Sequence, residues 1–140
     1  MAATGIFVID CSVGIAWLFD EQADDYTEAA LNALVGTFAV APRWWNVEVL
    51  NVLLTLERRK RLAAGKVVDL LRHMQRLPVH LRESQTSVFE LHALAIQHQL
   101  TSYDALYLEA ALATGLPLAT RDKALQQAAI ESSVGVWSGG

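Results

Sequence analysis

The sequence predicts an α/β fold, a three-layer α/β/α sandwich around a central parallel sheet of four to five strands. Short apolar runs of strand length alternate with longer segments of helical period along the 140 residues, and strands separated by helices pair in parallel. Glycine or proline stands at several of the boundaries between them, where chain-breaking residues belong. No repeat, linker or low-complexity tract interrupts the pattern. Residues 1–140 therefore read as one domain, long enough for a sizeable core.

Ile6 to Ile9 is an unbroken apolar run and reads as the first strand. A short helix near Val13 to Phe19 and another around Tyr26 to Leu34, ended by Gly36, follow it. Phe38 to Val40 is the second strand, stopped by Pro42, and a long helix runs from about Trp44 to Arg61. Gly65 separates that helix from one through about Gln75, which Pro78 closes, and Val79 to Leu81 is a weak third strand. Ser87-Val88-Phe89-Glu90 has capping-box spacing for a helix to about His98. Ser102 is a natural N-cap for the next helix, whose end is marked by Gly115 with Pro117 beyond. Leu116 to Ala119 is the fourth strand, Asp122 to Ile130 a helix, and Val134 to Trp137 a candidate fifth strand.

Composition narrows the class. The chain is 53% hydrophobic and 19% charged, with mean hydropathy +0.27, which argues against disorder and leaves an apolar surplus for a partner interface. Net charge is −4, so no global basic field advertises nucleic acid, and a polyanion must be met by a local patch or a metal. A single cysteine, Cys11, excludes an internal disulfide and suits a reducing compartment. The first residues carry no basic n-region, and no apolar run approaches the roughly 20 residues of a membrane span. A cytoplasmic location without a membrane partner is the expectation.

Four acids are locally out of place. Asp10 ends the first apolar run, Glu48 interrupts Trp44, Trp45, Val47, Val49 and Leu50, Asp104 opens the stretch Ala105 to Ala113, and Asp122 follows Leu118-Ala119-Thr120. An unpaired buried carboxylate is costly, so acids repeated at the ends of core elements point to a shared positive partner. Mg²⁺ or Mn²⁺ suits such oxygens. In open parallel sheets, ligand sites form beyond the carboxyl ends of the strands, and all four acids can reach that edge. Within the long helix, Glu48, Asn51 and Thr55 recur at steps of three and four. They form a polar stripe flanked by apolar residues, read as the lining of a cleft or as a solvated face.

The segments FVIDCSV, WNVEVLNVL, SYDALYLEAA and LATRDKAL, in that order, resemble the PIN-domain fold, in particular the small VapC-like toxin ribonucleases of toxin–antitoxin pairs. The resemblance runs from the first strand to the Asp122 helix and is most specific over Leu100 to Leu125. It implies an Mg²⁺- or Mn²⁺-dependent endoribonuclease with Asp10, Glu48, Asp104 and Asp122 as its acidic quartet, leaving a 5′-phosphate and a 3′-hydroxyl. It also implies an RNA substrate, a cognate antitoxin and a homodimer. Thr120 matches the small hydroxyl residue beside the pocket, Ser12 the hydroxyl after the first Asp, and Asn51 the polar residue one turn after the Glu.

On this reading Asp10, Asp104 and Asp122 are metal ligands and Glu48 orients or deprotonates water or binds a second ion. Thr120 and Ser12 hold carboxylates or waters, and Arg121 is the candidate for a substrate phosphate. The run Arg58-Arg59-Lys60-Arg61, with Lys66 and Arg72 beyond, is read first as a helix end favoured by the macrodipole and second as a phosphate track. His73, His80, His92 and His98 lack zinc spacing and read as surface residues. The four tryptophans, Trp17, Trp44, Trp45 and Trp137, read as core or interface anchors rather than base-stacking platforms. Two rivals remain in view. A phosphatase of the haloacid dehalogenase kind wants a second Asp where this chain has Ser12, and a catalytically silent PIN-like module would bind RNA or protein without cutting.

Overall fold

The computed structural model describes residues 5–139. Its centre is a sheet of four parallel strands, β1 (Val8–Ile9), β2 (Ala39–Pro42), β3 (Val79–Arg82) and β4 (Leu118–Ala119), in the order β3-β2-β1-β4. Seven α-helices connect and cover it: α1 (Cys11–Leu18), α2 (Asp25–Asn32), α3 (Trp45–Arg58), α4 (Lys66–Gln75), α5 (Val88–His98), α6 (Ser102–Thr114) and α7 (Lys123–Glu131). A single 3-10 turn at Asp20–Gln22 links α1 to α2.

β1 lies between β2 and β4, and Phe7, Val8 and Ile9 are all fully buried. A strand covered on both faces has no polar alternation, which is why its sequence is a continuous apolar run. The regular ladder is shorter than that run, although the Ile6 N–H still donates to the Phe38 carbonyl at 3.1 Å. Beyond β4, the candidate fifth strand contracts to one bridge between Leu118 and Val136. Pro42 does not stop β2 but forms its last rung, paired with Arg82. At a strand's final residue the missing proline N–H forgoes one bond at most.

Helix boundaries follow local chemistry. α1 starts at Cys11 because the Asp10 carboxylate caps it, accepting from the Val13 N–H at 3.1 Å. α6 is capped by Thr101 rather than Ser102, with the Thr101 hydroxyl accepting from the Asp104 N–H at 3.1 Å. The Ser87 cap of α5 and the Gly115 terminus of α6, at φ +72°, stand where the sequence puts them.

Packing sets α3 against α1. Trp45, Val49 and Leu53, at steps of four, are the buried residues of α3. A Cβ on Gly14 would lie 2.7 Å from the Trp45 ring, so the glycine lets the indole press onto α1, where its N–H donates to the Asp10 carbonyl at 3.1 Å. The tryptophans divide accordingly. Trp17 and Trp45 are buried anchors, and Trp137 packs on Phe7 and Tyr26. Trp44 is 52% exposed and is not a core residue. His98 departs from its surface reading, because its side chain is 4% exposed between Glu131 and Ser132. Within the described residues no helix is long and apolar enough to cross a membrane.

Candidate active site

Asp10 occupies the carboxyl end of the central strand and is 4% exposed. Its Oδ1 accepts from the Ser12 hydroxyl at 2.7 Å and from the Val13 N–H, and its Oδ2 accepts a short bond from the Thr120 hydroxyl. Oδ1 is thus filled, while Oδ2 keeps a lone pair. N-capping explains an aspartate here but not its burial, since an ordinary cap is solvated. Burial pushes the Asp10 pKa up, and the three hydrogen bonds oppose that without cancelling it.

Thr120, fully buried at the end of β4, joins two of the acids. Its hydroxyl donates to Asp10 and accepts from the Asp122 N–H at 3.0 Å. Gln126 Nε2 donates to the Thr120 carbonyl at 2.9 Å. Asp122 caps α7, its Oδ1 accepting from the Leu125 N–H at 2.9 Å.

Glu48 and Asp104 come from the first turns of α3 and α6. Glu48 Oε1 accepts from the hydroxyl of Tyr107, a residue 2% exposed, at 2.9 Å. Burial raises the Glu48 pKa first, with repulsion from Asp104 and Asp10 adding to it. Asp104 is raised by burial, then by Asp122 and Asp10. All four acids are therefore electrostatically one group, drawn from four elements at one end of the sheet. The helix starts that carry them present N–H dipoles which favour negative charge, yet at Asp10, Glu48 and Asp104 burial and repulsion outweigh that help.

The donor set fits a hard divalent cation. Oxygens without a protein hydrogen bond remain on Glu48, Asp104 and Asp122, and the charges that act on Asp10, Glu48 and Asp104 are the other carboxylates, with no basic side chain among them. Such a site gains most from a metal. Among the described residues no three potential ligands stand close enough to form a ready-made cage.

The remaining residues singled out from the sequence fall in different places. Ser12 and Thr120 touch Asp10 directly. Asn51 is exposed and lines a groove that Glu48 shares. The third member of that stripe, Thr55, turns its hydroxyl back to the Asn51 carbonyl. Arg121 has its guanidinium bound to the Gln22 carbonyl at 2.8 Å, the Ser12 carbonyl at 3.1 Å and Asp24 at 3.3 Å, and so braces α1 and the 3-10 turn against β4. Cys11 is buried and its thiol is pushed up by burial, then by Glu48 and Asp10, which leaves it unreactive. Tyr107 and Gln126 were not singled out. Their one local signal is a tyrosine one helical turn after Asp104.

Comparison with known proteins bears on the fold and the family. The crystal structure of PAE2754 from Pyrobaculum aerophilum is similar, with a TM-score of 0.68, 19% sequence identity, and 93% of this chain and 87% of that chain covered. At that identity the likeness shows the fold. No curated protein matches the sequence. The PIN domain family matches residues 7–131, a stretch that holds all four acids, Thr120 and Tyr107. PIN domains are in general nucleases and typically use divalent metal ions. The match runs from the core strand β1 through the last helix, and the chain belongs to the PIN domain family.

Proposed function

We propose that this chain is an Mg²⁺- or Mn²⁺-dependent endoribonuclease, the VapC-like toxin of a toxin–antitoxin pair. One observation carries the reading: a buried Asp10, held by Thr120 and Ser12, shares its field with Glu48, Asp104 and Asp122 and with no neutralising base. A catalytically silent module would have little reason to keep such a costly arrangement.

Asp10, Asp104 and Asp122 would hold the ion through their free oxygens. When bound, the cation neutralises phosphate charge and acidifies a water. Glu48 then orients the attacking water and takes its proton. A carboxylate raised by burial and like charge is a better proton acceptor at neutral pH than a solvated one. Tyr107 fixes the Glu48 rotamer, and Thr120 keeps Asp10 and the start of α7 in register.

The partners are RNA, an antitoxin that covers the acids, and a second copy of the chain. Support for protein partners comes from the apolar surplus: α5 has no buried residue among those described, and Val88, Phe89 and Ile96 on it are 74%, 83% and 68% exposed.

The test uses purified protein free of any partner, with structured RNAs and p-nitrophenyl phosphate, in Mg²⁺, Mn²⁺ or EDTA, beside Asp10→Asn and Asp104→Asn. RNA cleavage that needs metal and falls at least about a hundred-fold in both variants is expected, as for loss of a catalytic group. Cleavage that survives EDTA or both substitutions removes the mechanism. RNA binding without cleavage restores the silent module.

A further inference from the structure

Beside the acids lies a groove of about 760 Å³, lined by Trp44, Val47, Glu48, Asn51, Ser102 and Tyr103 among others. That size is within the range of about 300–1,000 Å³ typical of ligand sites. Trp44, Val47 and Tyr103 are 52%, 50% and 58% exposed, an unusual cost for three large apolar side chains around one cavity. The groove is continuous with the acidic site, because Glu48 belongs to both and Tyr103 immediately precedes Asp104.

We propose that this groove binds an unpaired nucleobase of the RNA next to the phosphate being cut, stacked on Trp44 and Tyr103. The lining decides between base and backbone. Among the described residues it carries a carboxylate and no lysine or arginine, so it suits a neutral planar group and not a phosphate. Exposed aromatic rings are what single-stranded nucleic acid stacks on. Asn51 offers both a donor and an acceptor, and Ser102 a hydroxyl, which are the groups that read base edges. Arg43, paired with Glu83 at 2.8 Å, has its guanidinium carbon 5.6 Å from the Trp44 ring centroid and steadies the ring. Placing a base here sets the adjoining phosphate beside Glu48, and it restricts the enzyme to unstacked, single-stranded RNA. The assignment rests on the nuclease reading, and its own test does not need cleavage.

The test measures fluorescence anisotropy of short single-stranded oligoribonucleotides, in EDTA, with the full chain and with Trp44→Ala, Tyr103→Ala and Trp44→Phe. Each oligonucleotide is also made with one abasic residue, walked along its length. Both alanine variants should bind the intact oligonucleotide roughly ten-fold more weakly, and Trp44→Phe should keep most of the affinity. At one abasic position the wild type should lose at least that factor, and each alanine variant, which keeps one ring, should lose distinctly less than the wild type does. Unchanged affinity in both alanine variants overturns the proposal and leaves the groove to a protein partner. Losses that multiply at every abasic position overturn it too, because ring and base would then act independently. If the losses coincide at one position while no RNA is cut in Mg²⁺ or Mn²⁺, the nuclease reading falls and the base site stands.

Discussion

Replacing Thr120 by valine tests whether the acids are held as one unit. The substitution keeps the shape of a fully buried side chain and removes one hydroxyl, which both donates to Asp10 Oδ2 and accepts from the Asp122 N–H. A hydrogen bond to a charged group contributes about 1.5–3 kcal/mol and a neutral one about 1 kcal/mol. The sum predicts a loss of roughly 2.5–4 kcal/mol, a large share of the ~5–15 kcal/mol stability of a domain this size. Denaturant unfolding with an unchanged slope should report it as a fall in midpoint.

A second consequence separates the electrostatic role from packing. Among the influences that lower the Asp10 pKa, the Thr120 hydroxyl is the largest. Its removal leaves burial less opposed, so Asp10 takes up its proton at higher pH. Only the ionised carboxylate holds a cation well, and the acid limb of both Mn²⁺ binding and RNA cleavage should therefore move to higher pH. A midpoint within about 0.5 kcal/mol of wild type, the range of an innocuous substitution, together with an unmoved acid limb would refute the argument.

The apo protein should show its repulsion in stability. Asp104, with Asp10 and Glu48, has its pKa raised in the fold, so the protonated forms favour folding. That contribution is complete below the ordinary values of 3.8 and 4.5 and is lost as pH rises through the raised ones. Asp24 and Glu131, both lowered, act in the opposite sense, which makes the difference in Tm between Asp104→Asn and wild type the cleaner readout. In EDTA that difference should grow in favour of the variant as pH rises, and saturating Mg²⁺ should reverse it; a gap independent of pH would mean the acids do not interact. Tyr107→Phe should cost about 1.5–3 kcal/mol of stability, as for a bond to a carboxylate, and lower kcat several-fold with KM unchanged, checked by steady-state cleavage assays. Arg121→Ala should lower the unfolding midpoint, since it removes three bonds to the Gln22, Ser12 and Asp24 oxygens; a reduced salt slope of RNA binding in the same variant would show that its remaining N–H donors also meet a phosphate.

Which parts of this molecule could be read from the sequence depends on the range of the interaction. Strand and helix order was legible because apolar period and capping chemistry act within a few residues, as in Ser87 and Glu90. Thr101 displaced Ser102 as a cap because neighbouring hydroxyls are equivalent in sequence and only backbone geometry separates them. The place of Arg121 beside Asp122 is visible in sequence, but its partners Gln22 and Asp24 lie 99 and 97 residues away in the chain and its bracing role is not. Trp44 and Trp45 show the same limit at its sharpest. Adjacent positions on a helix point about 100° apart, so one ring packs on Gly14 and the other stands over the acidic groove.

The acids were legible for a different reason. A carboxylate inside an apolar run violates the local pattern, and such violations concentrate where function outweighs stability. Sequence exposes the violation but not its compensation. The Thr120 bridge spans 110 residues and the Tyr107 bond 59, so neither could be paired in advance. Both are bonds to a single oxygen of an acid that keeps other lone pairs free. In the proposed mechanism, compensation of that kind, enough to fix Asp10 and Glu48 and too little to satisfy them, is what a cation site requires and a buried polar network complete by itself does not.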